Sequence, residues 1–209
     1  MKRAEKRVVF DFGAVVFEWR PTLMLRRELP HLATDETQAA YWAAQIFQSY
    51  GGDWADFDRG EVSVPDLVAR ISARTGLERN EVQTAVDGVA RELQPKPEMV
   101  ALLQRLHDAG RPLHFLSNMP AGIAAQLEER NDFLRCFDSG IFSARVQLIK
   151  PDPAIYRLAA ARFQAAPADL VFIDDHPPNI AAAQAQGWDG FVFRSPAQTE
   201  AELAARGLL

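Results

Sequence analysis

A short apolar run near the start of the chain, Val8-Val9-Phe10, is followed by a single carboxylate, Asp11, and the apolar pattern ends at Gly13. A continuous apolar run that ends at a turn residue is typical of a strand buried on both faces of a parallel sheet. In open parallel sheets, ligands bind beyond the carboxyl ends of the strands, near the point where the strand order reverses. Asp11 is therefore the first candidate for a functional side chain.

Three later segments also end apolar stretches with polar groups. They are Ser117-Asn118 after residues 113–116, Lys150 before Pro151-Asp152-Pro153, and Asp174-Asp175 after residues 170–173. The ends of parallel strands share one edge of a sheet, so these groups could meet although they are far apart in sequence. Together they suit the handling of a phosphate with a metal ion.

The chain from about residue 95 alternates short apolar runs with helical patterns. This alternation predicts βαβ units, and so an α/β fold with a parallel sheet and helices on both faces. The predicted strands are residues 8–11, 113–116, 140–142, 170–173 and 190–193. The predicted helices are Pro97–Ala109, Ala121–Arg130, Pro153–Phe163 and Pro178–Gln186.

Residues from Thr22 to about Leu93 are helical in pattern and lack strand-like runs. Helix starts are predicted at Thr34-Asp35-Glu36-Thr37 and at Ser63-Val64-Pro65-Asp66, and Val15–Phe17 is expected to form a small hairpin arm. We therefore predict a small α-helical cap over residues 16–93, inserted into a core made of residues 1–15 and 94–209.

Composition excludes several classes of function for these 209 residues. A formal net charge of −5 argues against a nucleic-acid or anionic-membrane partner. The single cysteine, Cys136, cannot form an internal disulfide, and no stretch approaches the ~18 apolar residues of a membrane span. A soluble, cytoplasmic protein is expected; oligomeric state is left open.

Asp11 is the candidate nucleophile, because a carboxylate can attack phosphorus and form an aspartyl-phosphate. Gly13 lets the backbone turn sharply, and its carbonyl could point at a cation. Taken alone, Asp11-Phe12-Gly13 is more typical of a simple turn after a strand. Its meaning depends on the other elements.

Asp174 and Asp175 repel each other unless a cation or hydrogen-bond donors compensate them. Mg²⁺ binds through one or two carboxylates together with waters and substrate oxygens, so this pair and Asp11 could hold the ion. The alternative is that Asp175 caps the helix that Pro177-Pro178 opens, where the helix dipole favours negative charge. Both interpretations stay open from the sequence.

Ser117 and the backbone N–H of Asn118 could hold phosphate oxygens where the next helix begins. A simple strand-to-helix turn would use the same two residues. Lys150 precedes prolines that stiffen the backbone, but a lone lysine is more often a solvated surface residue. The occurrence of all four elements in this order argues more strongly for a phosphate site than any one of them.

These segments together resemble the haloacid dehalogenase-like hydrolase superfamily, in the subgroup with a helical cap after the first motif. The matching segments are VVFDFGAVVFEW, HFLSN, LIKPDPAIY and VFIDDHPPNIAAAQAQGW, and FDRGEVSVPDL at 57–67 is similar to part of the cap. The resemblance covers nearly the whole chain. It implies a Rossmann-like core and, as in most members, a magnesium-dependent phosphatase of a small phosphate ester.

The resemblance also implies a role for each candidate residue. Asp11 would be the nucleophile and a magnesium ligand, and the backbone carbonyl of Gly13 would face the metal. Asp174 would bind the same ion, and Asp175 would support it.

The phosphoryl group would be held by a second set of residues. Ser117 and the amide of Asn118 would bind its oxygens, and Lys150 would act in catalysis by neutralising both the phosphoryl group and Asp11. Arg20, which leaves the first motif toward the cap, is a further candidate for contact with substrate.

The chain departs from the usual pattern at Gly13, where phosphatases of this superfamily carry a second aspartate as general acid and base. That help is typically worth ~10²–10⁴-fold in rate. We therefore expect substrates with a good leaving group, sugar phosphates among them, or with a proton donor of their own. His176 is a possible replacement donor, although a loop histidine is the simpler interpretation.

Two other functions stay open: a metal-independent 2-haloacid dehalogenase-type hydrolase, and a catalytically weak phosphate-ester binding protein. The metal hypothesis requires nearest oxygens of Asp11 and Asp174 within ~5 Å of each other, because magnesium bonds are ~2 Å long. Four aromatic residues of the cap are expected to serve as packing rather than as a binding surface: Trp42, Phe47, Trp54 and Phe57.

Overall fold

The computed structural model describes residues 6–48 and 51–209. Within them, parallel strands form a sheet in the order β3-β2-β1-β4-β5. The strands are β1 (Arg7–Phe10), β2 (Leu113–Ser117), β3 (Ser139–Phe142), β4 (Leu170–Asp174) and β5 (Asp189–Val192). The predicted α/β Rossmann-like fold is confirmed.

The helices fall into two groups. Those between β1 and β2 are α1 (Pro21–Glu28), α2 (Glu36–Phe47), α3 (Gly52–Arg59), α4 (Val64–Thr75), α5 (Arg79–Glu92) and α6 (Pro97–Asp108). The later helices are α7 (Ala121–Arg130), α8 (Pro153–Arg162), α9 (Pro177–Ala185) and α10 (Pro196–Ala205). We call α1 to α5 the helical insertion. In the described part of the chain, every helix is too short or too polar to span a bilayer.

Alternate residues of each strand serve opposite faces of the sheet. Val8 and Phe10 pack in one hydrophobic cluster, and Val9 between them packs in another. In β4, Val171 likewise packs in the first cluster and Phe172 in the second. Because both faces are covered, every second position must also be apolar, and this explains the continuous apolar runs in the sequence.

Several local predictions are confirmed. The Asp35 side chain accepts a hydrogen bond from the Gln38 N–H, and Ser63 accepts one from the Asp66 N–H, so both residues cap helices. The predicted strands differ from those observed by at most one residue at each end. Helix α10 was not predicted, although Ser195 and Pro196 provide its start signal.

The expected hairpin arm at Val15–Phe17 is wrong. The N–H groups of these residues turn back onto the Phe12 carbonyl, with Ala14 at a positive φ of 59°. Val16 accepts a hydrogen bond from the Lys96 N–H, and Glu18 donates one to the Gln94 carbonyl. The two connections to the helical insertion thus pair with each other. The division at residues 15/16 and 93/94 stays a prediction.

Helix α3 ends where the helical insertion meets the sheet domain. Gly60 closes α3 in the left-handed conformation, with φ 79°. It lies so near the short 3₁₀ helix Ser143–Arg145 that a Cβ on Gly60 would come within 2.7 Å of the Ala144 carbonyl oxygen. Glycine is therefore required here both by conformation and by close approach.

Replacement of Gly60 by alanine should separate these two requirements when it is compared with Gly76→Ala. Gly76 closes α4 with φ 76°, and a Cβ added to it would meet no other atom within 4 Å. We expect Gly76→Ala to lower the free energy of unfolding by about 1–2 kcal/mol through the left-handed backbone alone. Gly60→Ala should lower the free energy of unfolding by roughly 1–3 kcal/mol more, because the added Cβ overpacks the contact with Ala144. Urea denaturation measures both values, and equal losses would contradict the close contact.

Candidate active site

The ends of β1 and β4 bring Asp11 and Asp174 together. Phe10 pairs with Ile173, and the Asp11 N–H donates a hydrogen bond to the Ile173 carbonyl at 2.9 Å. Asp11 follows Phe10 and Asp174 follows Ile173, so the two aspartates are neighbours at this edge of the sheet. One carboxylate oxygen from each of Asp11, Asp174 and Asp175 lies within 4.8 Å of the others. The distance expected from the sequence for a shared metal is met.

Lys150 lies between two of these carboxylates. Its Nζ is 2.9 Å from Asp11 Oδ1 and 2.6 Å from Asp174 Oδ2, and its side chain is 1% exposed. The alternative of a solvated surface lysine is excluded. Asn118 fixes the lysine backbone, because its Oδ1 accepts from the Lys150 N–H at 2.8 Å and its Nδ2 donates to the Lys150 carbonyl at 3.0 Å.

The Asp174 carboxylate is fully buried and held by several donors. The His176 N–H donates to Oδ1 at 2.8 Å, and Asn179 Nδ2 lies 3.0 Å from both oxygens. His176 is the N-terminal cap residue of α9, and no side chain caps that helix. The geometry therefore does not use Asp175 as a helix cap.

The cluster carries an excess of negative charge. Burial raises the pKa of Asp11, and the charges of Asp174 and Asp175 raise it further against the opposing effect of Lys150. Burial and Asp174 also raise the pKa of Asp175. For Lys150, burial acts to lower the pKa, but the two carboxylates beside it outweigh burial and raise it. Three carboxylates and one ammonium sum to −2 when ionised, which is the charge that one divalent cation offsets.

Ser117 and Gly13 complete the predicted set around this cluster. Ser117 is buried at the end of β2, and its Oγ has no hydrogen-bond partner among the described residues. An unpaired buried hydroxyl is costly unless a ligand pairs with it. Gly13 lines the adjacent cavity, and a Cβ placed there would meet only Trp19 Cβ, at 4.0 Å.

A cavity of about 280 Å³ opens over the cluster between the sheet and the helical insertion. Asp11, Asn118 and Lys150 form its polar end. The rest is mainly apolar, lined by Trp19, Pro21, Ala43, Ala44, Phe47, Trp54, Val89, Leu93, Met119 and Pro120. Phe47 and Trp54 pack in the core as expected, and they also line this cavity.

Asp58 also lines the cavity, although the strand-end pattern of the sequence does not predict it. It is 6% exposed and lies in the last turn of α3. The sequence did carry a signal for Asp58, because this residue belongs to the cap-like segment FDRGEVSVPDL. An acid before Arg59-Gly60, however, looks like an ordinary helix end. Nothing in the sequence alone shows that α3 points this acid toward Lys150.

Arg20 is not brought into the cavity, although its neighbours Trp19 and Pro21 line it. Its Nε donates to Glu92 Oε1 at 2.9 Å and lies 3.7 Å from Glu18 Oε2. Arg27 shares the same Glu92 carboxylate. A role for Arg20 in substrate binding would require it to leave this pair, and that role stays a prediction.

Comparison with curated proteins finds several relatives, among them a phosphatase and a dehalogenase. The chain is 29% identical over 199 residues to the sesquiterpene phosphatase astK of Aspergillus oryzae, covering 95% of this chain and 94% of that protein. It is 26% identical over 138 residues to (S)-2-haloacid dehalogenase 1 of a Pseudomonas species, covering 66% of this chain and 60% of the relative.

A similar solved structure is the HAD family enzyme bt-2542 of Bacteroides thetaiotaomicron, crystallised with magnesium and inorganic phosphate. Its TM-score is 0.67 at 16% identity, covering 91% of this chain and 95% of that one. This likeness shows the fold alone. The haloacid dehalogenase-like hydrolase family model matches residues 9–187, and the chain therefore belongs to the haloacid dehalogenase-like hydrolases.

Proposed function

We propose that the protein is a magnesium-dependent phosphatase of small phosphate monoesters that works through an aspartyl-phosphate on Asp11. The observation that carries the proposal is the cluster at the strand ends, in which three carboxylates and Lys150 lie together and Asp11 and Lys150 line a cavity. The similarity to a phosphatase over 95% of the chain supports it.

The residues of the cluster fit Mg²⁺. The donors are all oxygens, which are the ligands that this ion prefers. One oxygen from each of the three carboxylates lies within 4.8 Å of the others. Asp11, Asp174 and the Gly13 carbonyl would hold the ion, with Asp175 in support. When bound, the ion offsets charge on the phosphoryl oxygens.

The chain's own groups then carry the phosphoryl transfer. Asp11 attacks phosphorus as the P–O ester bond breaks, and the departing alkoxide takes up a proton to become the alcohol. Lys150 offsets the negative charge on the transferring group, and the Ser117 hydroxyl with the Asn118 N–H orients its oxygens. Water then attacks the aspartyl-phosphate, which releases inorganic phosphate and restores the Asp11 carboxylate.

The cavity points to esters with an apolar alcohol rather than to sugar phosphates. Its walls are mainly aromatic and aliphatic, and its polar side chains are those of Asp11, Asn118, Lys150 and Asp58. A sugar would leave its hydroxyls unpaired against these walls at a cost of about 1–3 kcal/mol each. The name of the Aspergillus oryzae relative, a sesquiterpene phosphatase, supports an apolar substrate.

Turnover of p-nitrophenyl phosphate should separate the proposed function from its alternatives. We expect phosphate release that needs Mg²⁺, that chelation by EDTA abolishes, and that Asp11→Asn removes. Asp87→Asn, an exposed change of the same type on α5, should retain full activity. Halide release from 2-chloropropionate without metal would instead identify a dehalogenase. Ester binding without release would identify a binding protein.

Metal binding should be visible without any turnover as a gain in thermal stability. At a Mg²⁺ concentration of 100 times Kd, a native-state ligand adds about 2.7 kcal/mol, which raises Tm by roughly 5–10 °C for a chain of this size. Asp175→Asn should shrink this increment. It should not lower Tm without metal, because it removes a carboxylate that burial and Asp174 disfavour. If Mg²⁺ raised the Tm of wild type and of Asp175→Asn equally, the ion would bind away from Asp175.

The length of the alcohol should tune activity if the walls hold an apolar group. Each methylene buried contributes ~0.8 kcal/mol, so kcat/KM for n-alkyl phosphates should rise about fourfold per added carbon until the cavity is filled. Glucose 1-phosphate should be a poor substrate. Ala44→Asp, at the exposed rim of the cavity, should weaken the long esters, whereas Ala40→Asp, which lies outside the lining, should not. A flat series would contradict the apolar assignment.

A further inference from the structure

The cavity contains one carboxyl group that the phosphoryl-transfer steps leave unused. Asp58 enters from the helical insertion and lines the same cavity as Asp11 and Lys150. Its side chain forms no hydrogen bond or ion pair with any residue in the described part of the chain. A buried acid without a partner is costly to maintain, so its presence in a ligand cavity calls for a functional explanation.

The fold fixes the position of Asp58 through its backbone. Two residues beyond it, Gly60 lets the end of α3 press against the 3₁₀ helix Ser143–Arg145. The Ser143 hydroxyl donates to the Asp58 carbonyl and accepts from the Met119 N–H at 2.8 Å. Ser143 is fully buried. One hydroxyl therefore joins the backbone of Asp58 to the loop whose Asn118 N–H faces the phosphoryl group in the proposed reaction.

The surroundings of Asp58 suit a group that exchanges a proton. Burial raises its pKa to about 7, against the opposing charge of Lys150. A general acid–base works best when its pKa lies near the working pH, because both protonation states are then accessible. Ordinary surface aspartates are ionised at neutral pH and could not donate.

The position that usually supplies this proton is a glycine here, and the backbone does not force that choice. Gly13 has a negative φ, and a side chain placed there would meet only Trp19 Cβ at 4.0 Å. Position 13 thus offers no acid, whereas Asp58 brings a carboxyl group into the same cavity from α3.

We propose that Asp58 is the general acid and base of the reaction and replaces the acid that is missing at Gly13. This inference rests on the proposed phosphatase function. When Asp11 Oδ bonds to phosphorus and the P–O ester bond breaks, protonated Asp58 gives its proton to the departing alkoxide, which leaves as the alcohol. The Asp58 carboxylate then takes a proton from the water that attacks the aspartyl-phosphate. Phosphate departs, and Asp11 and protonated Asp58 are restored.

The test compares two esters in single-turnover and burst experiments on Asp58→Asn. An alkyl phosphate needs a proton on its leaving group, so its phosphorylation step should slow by about 10²-fold or more. p-Nitrophenolate leaves without a proton, so the variant should still release one equivalent per enzyme in a fast burst. Its steady state should then be slow, because the aspartyl-phosphate lacks its base. In wild type, neither phosphorylation by the alkyl phosphate nor the steady-state turnover of p-nitrophenyl phosphate should be slowed in this way.

Three controls keep the outcome clear. Asp56→Asn, on the same helix but ion-paired with Arg59 and Arg70, should behave as wild type. Asp58→Glu should recover part of the alkyl phosphate rate. Gly13→Asp combined with Asp58→Asn should also recover it, since an acid would return to the cavity from the first motif. Circular dichroism verifies that each variant is folded.

Equal slowing of the two esters in Asp58→Asn would overturn the proposal, because it would indicate a structural or binding role. Unchanged rates on both esters would overturn it as well. Failure of the proposed function looks different, since wild type itself would then release no p-nitrophenolate with Mg²⁺, whatever residue stands at position 58.

Discussion

The contact between the Lys150 ammonium and two buried aspartates holds the candidate site together. The carboxylates of Asp11 and Asp174 end neighbouring strands of the sheet, and the lysine reaches both from the loop before α8. Three acids so close together, two of them buried and the third half-buried, are unfavourable unless positive charge accompanies them. The lysine provides part of that charge, and the part still missing defines what the site is suited to bind.

This arrangement depends on the topology of the sheet more than on any local motif. The strand order reverses at β1, since β2 and β3 lie on one side of it and β4 and β5 on the other. The loops after β1 and β4 therefore diverge and leave a crevice between them, as is general in open α/β sheets. Asn118 reinforces the crevice from β2 by fixing the backbone of Lys150 through two hydrogen bonds.

The sequence was sufficient for the fold and for the polar end of the site, because both depend on residues at the ends of apolar runs. Asp11, Ser117 and Asp174 could be placed by counting to the end of a strand. The other wall could not be derived in this way. Whether Asp58 or Trp54 faces the core or a cavity depends on how α3 meets Ala144, and no periodicity encodes that contact. For Arg20 the sequence suggested a contact with substrate, but the side chain pairs with Glu92, which lies 72 residues away in the chain.

The walls and the floor of the cavity come from different stretches of chain. Asp11 and Asp174 stand at strand ends and Lys150 lies in the loop before α8, whereas Ala43, Ala44 and Phe47 belong to α2, which carries no part of the charged cluster. Substitutions on α2 can therefore reshape the space for the alcohol while the phosphorus chemistry stays intact. Such modularity allows a lineage to change the molecules it accepts by a few exchanges at a partly exposed helix, without rebuilding the machinery beneath it.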